Sequence, residues 1–291
     1  MHFDHDFARA SGLGAPLAPG LLSAAWSLGA LTLQAPSRLA IGAPAAFIAG
    51  YRVRFARSVK IGDRFSLRWN EGTGACVDGL SQSERRDTNF EILDQRDEVS
   101  STGAVSVCLA DAGGELPTVP DPPSLLEIEV CSAEPPPGPF FAEDVLEFGP
   151  RGESLGRTVT VADVVGYASF SGELNPAYLN QEFARTGRFG AQIAPPMWSF
   201  CLAFGDCLRE LLALPLPSAG FAGHLGDSWR FLAPIHIGDT IRTRHKPVSC
   251  RPSRSRPEMA IVEFALQLLN QRDEIVQDGR VAMMIPAREG A

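Results

Sequence analysis

The sequence predicts an α+β protein in which one structural unit is written twice. Two observations carry this. The stretch around residues 7–105 recurs around 183–281 at a constant offset of 176, and each copy reads as one apolar helix followed by four strands. Composition agrees: over 291 residues, 45% hydrophobic and 21% charged content is enough to bury cores in two ordinary domains.

The repeat needs no gap. Phe7-Ala8-Arg9 falls on Phe183-Ala184-Arg185, Gly14-Ala15 on Gly190-Ala191, and Ala18-Pro19 on Ala194-Pro195, so seven of the fourteen positions from 7 to 20 are identical. Chance would give about one identity in fourteen at ordinary residue frequencies. Further on, Ile61-Gly62-Asp63 meets Ile237-Gly238-Asp239, and Gln95-Arg96-Asp97-Glu98 meets Gln271-Arg272-Asp273-Glu274. A period this long means two domains and not a solenoid.

Each copy reads in the same order. A small-residue segment ending in Ala-Pro leads into a helix, 20–33 in the first copy and 197–212 in the second. Trp198, Cys201, Leu202, Gly205, Leu208 and Leu212 recur at helical spacing, with Phe200, Ala203 and Phe204 on other faces, so this helix is expected to be wrapped by other structure. Strands are expected at 50–58, 61–70, 87–95 and 99–109, and again at 227–233, 237–249, 258–270 and 275–285. The Gly-Asp pairs at 62–63 and 238–239 mark turns. The units then span 1–110 and 143–291. Residues 111–142, with Pro135-Pro136-Pro137, are a stiff spacer crossing between them. The two units are expected to pack as a pseudo-twofold pair with sheets joined edge to edge, because pairing removes an exposed strand edge.

A net charge of −8 implies no general affinity for nucleic acid. The six cysteines form no C-x-x-C pair and no zinc spacing, so they read as reduced thiols in a cytoplasmic protein. Residues 15–33 look like the apolar part of a signal peptide. Asp4 and Asp6 precede them where a basic region would be needed, and the run is too short and interrupted to span a bilayer. His2 and His5 with Asp4 and Asp6 lack a third anchored ligand, so no metal site is expected.

The second copy carries Ser171-Gly172-Glu173-Leu174-Asn175-Pro176-Ala177-Tyr178, and later Ile193-Ala194-Pro195-Pro196-Met197. This string resembles the MaoC-like family of (R)-specific enoyl-CoA hydratases and dehydratases, whose pattern runs Gly-Asp-x-Asn-Pro-x-His, then a helix, then Ile-Ala-His-Gly-Met. The resemblance implies a tandem (double) hot-dog fold, in which each long helix is wrapped by a curled antiparallel sheet. It also implies addition of water to a double bond conjugated with a thioester. A carboxylate and an imidazole would handle the water, and backbone N–H groups at the helix start would hold the enolate oxygen. Coenzyme A would enter only as part of the substrate, with no further cofactor.

The second copy departs from the family pattern in three places. Its acid is Glu173, the imidazole position holds Tyr178, and Pro196 stands where a glycine N–H would be. Subtracting 176 turns Tyr178 into His2 and Pro196 into Gly20, so the first copy keeps both groups. The positions matching Glu173, Asn175 and Pro176 would precede Met1, so the first unit starts partway into its motif. An upstream extension encoding Gly-Asp-x-Asn-Pro is therefore expected, and the first helix is expected to be less well covered than the second.

Three functions fit this reading. The first is enoyl-thioester hydration, with His2 and Gly20 at the reacting thioester and Asn175 contacting substrate. The second is a hot-dog thioesterase using Glu173. The third is an inactive half that works with a second hot-dog subunit; a homodimer also fits the fold. Arg242, Arg244 and Lys246 lie in a run with no acid from 242 to 257 and are candidate contacts to a substrate phosphate, although a solvated loop reads the same way. His224, His236 and His245 have no partner recognisable in the sequence.

Overall fold

The computed structural model describes residues 2–10, 14–72, 85–109, 123–129, 131, 134–217 and 223–288. Unit one contains α1 (His5–Ala10), α2 (Gly20–Gln34), β1 (Ala46–Phe55), β2 (Ser66–Glu71), β3 (Arg85–Leu93) and β4 (Val99–Leu109). Unit two opens with α3 (Ala142–Phe148), the two-residue strands β5 (Gly152–Glu153) and β6 (Arg157–Thr158), and helices α4 (Val161–Ser171), α5 (Pro176–Leu179) and α6 (Gln181–Thr186). The long helix α7 (Pro196–Ala213) follows, then β7 (Gly223–Phe231), β8 (Thr240–Pro252), β9 (Met259–Leu269) and β10 (Ile275–Pro286).

The repeat extends to individual hydrogen bonds. Ala18 N donates to Val59 O, and Ala194 N donates to Ile235 O. The Asp63 carboxylate accepts from Lys60 N and from the Gln95 amide, as Asp239 does from His236 N and the Gln271 amide. Gly62 and Gly238 hold φ of 96° and 99°, where a side chain is disfavoured, so each Gly-Asp pair is a tight turn that the aspartate side chain closes. These turns consume the residues expected to open β2 and β8, and the two strands start at Ser66 and Thr240, later than the sequence pattern placed them.

One sheet runs through both units in the order β2-β3-β4-β1-β7-β10-β9-β8-β5, with β6 also on β8. Unit two's strands repeat unit one's in mirror order, and the junction is β1 against β7, antiparallel. Arg52 pairs with Ser228 at that junction, with Tyr51 opposite Trp229 and Val53 opposite Asp227. Residues 52 and 228 are equivalent under the repeat, so the pseudo-twofold axis passes through that pair. The edge-to-edge pairing expected from the sequence is the one observed.

Each long helix lies on the inner face of its own part of the sheet. Leu28 and Leu31 of α2, Tyr51 and Phe90 of the sheet, and Phe200 of α7, tilted against Trp229 with ring centroids 4.4 Å apart, are all fully buried. Each such side chain stabilises the fold by roughly 1.5–3 kcal/mol.

The first helix is not less well covered, contrary to the sequence expectation. Helix α4 of unit two lies on α2 and fills that space. The Trp26 indole donates to Phe170 O at 3.1 Å, and the α2 backbone at Gly29 meets the end of α4 so closely that a Cβ would lie 1.8 Å from Ser171 O. The equivalent glycine on α7, Gly205, has nothing within 4 Å of a built Cβ.

Part of the expected spacer is described. Ser124 O accepts from the Gln267 amide and Leu126 N donates to Gln267 Oε1, which fixes the spacer on β9; Asp121 and Pro122 lie outside the described residues. Cys108, Cys131, Cys201, Cys207 and Cys250 are free thiols, and Cys76 lies outside the described residues. Among the described residues no helix is long and apolar enough to cross a membrane, and residues 20–34 form the buried helix α2.

The two glycines should answer oppositely to the same change. Gly29→Ala should lower stability by about 1–3 kcal/mol, because α4 must move to admit the methyl group. Gly205→Ala should raise stability by up to about 1 kcal/mol, since alanine favours helix and nothing opposes it. Thermal denaturation of the two variants beside the parent chain checks both signs.

Candidate active sites at the two helix starts

The Gly-Glu-x-Asn-Pro string is a local device as well as a motif. Gly172, at φ 79°, stops α4 and turns the chain inward at Glu173. Asn175 then caps α5, its side-chain oxygen accepting from Ala177 N at 3.0 Å, and Pro176 occupies the first helical position. Tyr178 follows one turn on, fully buried.

Glu173 and Tyr178 meet the start of α7 in a cavity of about 10 Å³, walled by Pro196 and Ile193 of unit two and by Thr32, Phe47 and Ile48 of unit one. That volume holds roughly one water. Glu173 is neither solvated nor paired. It is completely buried, and both carboxylate oxygens lack a hydrogen-bond partner among the described residues. Burial raises its pKa from 4.5 to about 8; the Tyr178 and Tyr167 hydroxyls nearby pull it down only in part, and neither closes a hydrogen bond of normal geometry. Tyr178 is pushed well above 10, first by its own burial and then by Glu173. At neutral pH both groups are therefore protonated, and neither is a base.

The pseudo-equivalent place in unit one is built differently. Pro19 and Gly20 are exposed or half-exposed at the start of α2, whereas Pro195 is buried at the start of α7. Leu22 N donates back to Pro19 O, and among the described residues nothing takes up the N–H groups of Gly20 and Leu21. His2 is bonded just ahead of this helix start, its Nδ1 donating to Leu17 O at 2.7 Å, and Nε2 has no hydrogen-bond partner among the described residues.

Sequence reasoning missed a neighbour of that site. The His224 ring lies against Gly20, its Nδ1 3.3 Å from where a Cβ would sit, between Phe55 and Phe204. His224 Nε2 is 2.5 Å from the fully buried carboxylate of Asp227. The other two histidines also have partners: His245 Nε2 bonds Glu210 at 3.0 Å, and His236 Nε2 donates to Phe189 O.

The basic run is not gathered at either helix start. Arg242 pairs with Glu153 and Asp273, and Arg244 pairs with Glu153 at 3.2 Å, holding β5 on β8. Lys246 follows on the same side of β8, and none of the three lines the cavity. The carboxylates that neutralise the two arginines lie far away in sequence, so the basic run read there as unpaired. Asn175 lines the cavity, but its side-chain oxygen is engaged in capping α5. Among the described residues no three His, Cys, Asp or Glu side chains converge as a metal-binding group.

A long helix wrapped by a curled sheet, present twice and joined through β1 and β7, with a Gly-acid-x-Asn-Pro turn at one helix start, defines a double hot-dog protein. Comparison with known proteins gives the family. Residues 1–88 match the MaoC-like domain, and residues 149–279 match the FAS1-like dehydratase domain region. Over 152 residues the chain is 30% identical to the 3-hydroxybutyryl-CoA dehydratase of Methylorubrum extorquens, covering 52% of this chain and 88% of that one. It is 29% identical over 148 residues to the (R)-specific enoyl-CoA hydratase of Rhodospirillum rubrum, covering 51% and 93%. Among solved structures, a putative MaoC domain dehydratase from Chloroflexus aurantiacus superimposes with a TM-score of 0.67 at 18% identity, covering 98% of this chain and 86% of that one. A Mycobacterium tuberculosis protein described as a double hotdog gives 0.66 at 18% identity, covering 97% and 86%. The chain belongs to the MaoC-like dehydratase family.

The raised pKa of Glu173 makes stability depend on pH. Between about 4.5 and about 8 the folded protein holds a proton there that the unfolded chain has released. The stability this proton confers is complete below the lower value and is lost as pH rises through the upper one. Glu173→Gln keeps the shape and does not titrate. Denaturation midpoints measured from about pH 5 to about pH 9 should therefore fall for the parent chain relative to the variant; parallel curves would mean that Glu173 is not held as a neutral acid.

Proposed function

We propose that this chain adds water to trans-2-enoyl thioesters, or runs the reverse dehydration of (R)-3-hydroxyacyl thioesters, at the start of α2. The observation that carries the reading is the contrast between the helix starts. At α7 a proline removes an N–H and the cavity of about 10 Å³ has no room for a thioester. At α2 a glycine keeps its N–H, the first N–H groups have no partner among the described residues, and His2 is bonded to Leu17 just ahead of the helix. The family's curated members named above carry out this class of reaction. Coenzyme A or a carrier protein enters as part of the substrate, and no separate cofactor is required.

In this reading the work divides as follows. The thioester carbonyl sits at the positive end of α2, where Gly20 and Leu21 N–H groups and the helix dipole stabilise the oxygen as it gains charge. His2 Nε2 accepts a proton from water. The water oxygen bonds to C3, the C2=C3 electron pair moves toward the carbonyl oxygen as an enolate, and C2 takes a proton to give the 3-hydroxyacyl thioester. Unit two contributes a wall for the acyl chain, and Glu173 stays protonated within it. The thioesterase alternative needs an ionised Glu173 beside the thioester; burial opposes the first condition and the size of the cavity the second.

The test is loss of enoyl absorbance with crotonyl-CoA, run beside an assay for free coenzyme A thiol. Hydration without thiol release is expected. Glu173→Gln should keep most of the activity, and His2→Ala should lose about 100-fold or more in kcat. Thiol release would establish the thioesterase. Complete loss in folded Glu173→Gln would move the reaction to unit two. A chain inert alone but active with a second hot-dog subunit would be a partner half.

A further inference from the structure

We propose that His224, held by Asp227, is a second acid–base group of the unit-one site, contributed by unit two across the pseudo-twofold axis. The inference rests on the hydratase reading above and names a residue that the family motif does not contain.

The first observation is how two residues three apart on a strand come to share a face. Side chains three positions apart in a regular strand point to opposite sides of the sheet. In β7, Gly226 pairs with Ala282 but His224 pairs with Met283, so Leu225 is an extra residue. This bulge reverses the alternation and turns both His224 and Asp227 toward the helix side. Unit one has the same bulge, with Ala49 as the extra residue between Ile48 and Gly50. The backbone device is therefore duplicated, while the side chains it presents are not: Ile48 and Tyr51 in one unit, His224 and Asp227 in the other.

The second observation is where that face looks. Ile48 lines the unit-two cavity together with Tyr178 and Pro196. Under the repeat these three positions are His224, His2 and Gly20. His224 accordingly stands against Gly20, nine-tenths buried, stacked on Phe204 at 4.6 Å and beside Phe55 at 4.8 Å. A ring packed on two sides has one orientation. Its Nε2 is taken by Asp227, and among the described residues Nδ1 has no hydrogen-bond partner.

The third observation is Asp227 itself. Its side chain is completely buried, and its second oxygen, Oδ2, has no partner among the described residues. An aspartate in that setting is costly unless its neighbour shares the proton. Its cross-strand neighbours are Val53 and Val281, and the other titratable group bearing on it is Cys201 of α7, pushed up to about 12 by burial first and then by Asp227 and Glu173. Burial raises the Asp227 pKa while His224 opposes the rise. With Nε2 held by the carboxylate, His224 turns Nδ1 toward the helix start, as His2 turns Nε2. His2, neutral, takes the proton from water as its oxygen bonds to C3; His224, entering as an imidazolium paired with the Asp227 carboxylate, gives its Nδ1 proton to C2, and the proton passes from His2 back to His224 through solvent before the next turnover, so no net proton is consumed. His224 is thus a catalytic residue and Asp227 a positioning residue.

The experiment uses the full chain. Crotonyl-CoA hydration is followed against pH for the parent, His224→Asn, His224→Gln and Asp227→Asn, with thermal melts on each. In parallel, ring nitrogen resonances of ¹⁵N-histidine-labelled parent protein are recorded with and without butyryl-CoA, which cannot be hydrated. The expected result is a loss of about 100-fold or more in kcat for both His224 variants with KM little changed. One limb of the pH profile should disappear with them, and Asp227→Asn should lose less activity and displace that limb. Butyryl-CoA should shift the His224 ring resonances. An active parent with folded His224 variants within about 2-fold of it, or His224 resonances unmoved by butyryl-CoA, would overturn the inference. An inactive parent would overturn the hydratase reading instead. The inference of a thioester site at His224 would then stand or fall on the resonance shifts alone.

Discussion

The pairing of β1 with β7 is the constraint on which the rest of this molecule depends. Each unit taken alone would leave that strand as an open edge with unpaired N–H and C=O groups. Joined antiparallel through Arg52 and Ser228, the strands close both edges at once and merge the two units into one sheet. The same junction brings the inner face of each unit's first strand against the helix start of the other. Ile48 of unit one reaches the motif of unit two, and His224 of unit two reaches Gly20 of unit one. Each site is therefore composite, and substitutions in one copy are felt in the site of the other.

The two sites have diverged under this shared geometry. In one, glutamate, tyrosine and proline meet isoleucine, and the result is a small cavity that keeps its carboxyl protonated. In the other, a glycine meets a histidine bonded to a buried aspartate, and a second histidine is bonded to Leu17 just ahead of the helix. Duplication supplied two copies of one scaffold. The closed site serves packing, since α4 leads into its motif and also covers α2 through the contact at Gly29.

Much of the fold was legible in the sequence, and the reasons are local. The long helices, the four-strand order of each unit, the Gly-Asp turns and the hairpins at Asp97 and Asp273 all follow from short-range patterns that the repeat displays twice. The Asn175-Pro176 cap was equally readable, because a side chain and the N–H two residues later decide it. The coverage of α2 was not readable. It depends on a helix some 140 residues away in the chain, and Trp26 gives no sign in the sequence that Phe170 will meet it.

The sequence by itself determined that there are two units, what each is made of, and which motif positions each keeps or has lost, because periodicity, turns and caps are properties of neighbouring residues. Only the tertiary structure decided which charges are free and which side chains share a site. Arg242 and Arg244 read as an unpaired basic run until Glu153 and Asp273 closed on them. His224 lay ahead of the strand expected at 227–233 and showed no partner in the sequence, and even in a regular strand a period of two would place it and Asp227, three apart, on different sides. The bulge at Leu225 reverses that rule by one residue, and strand pairing between distant segments sets where a bulge falls.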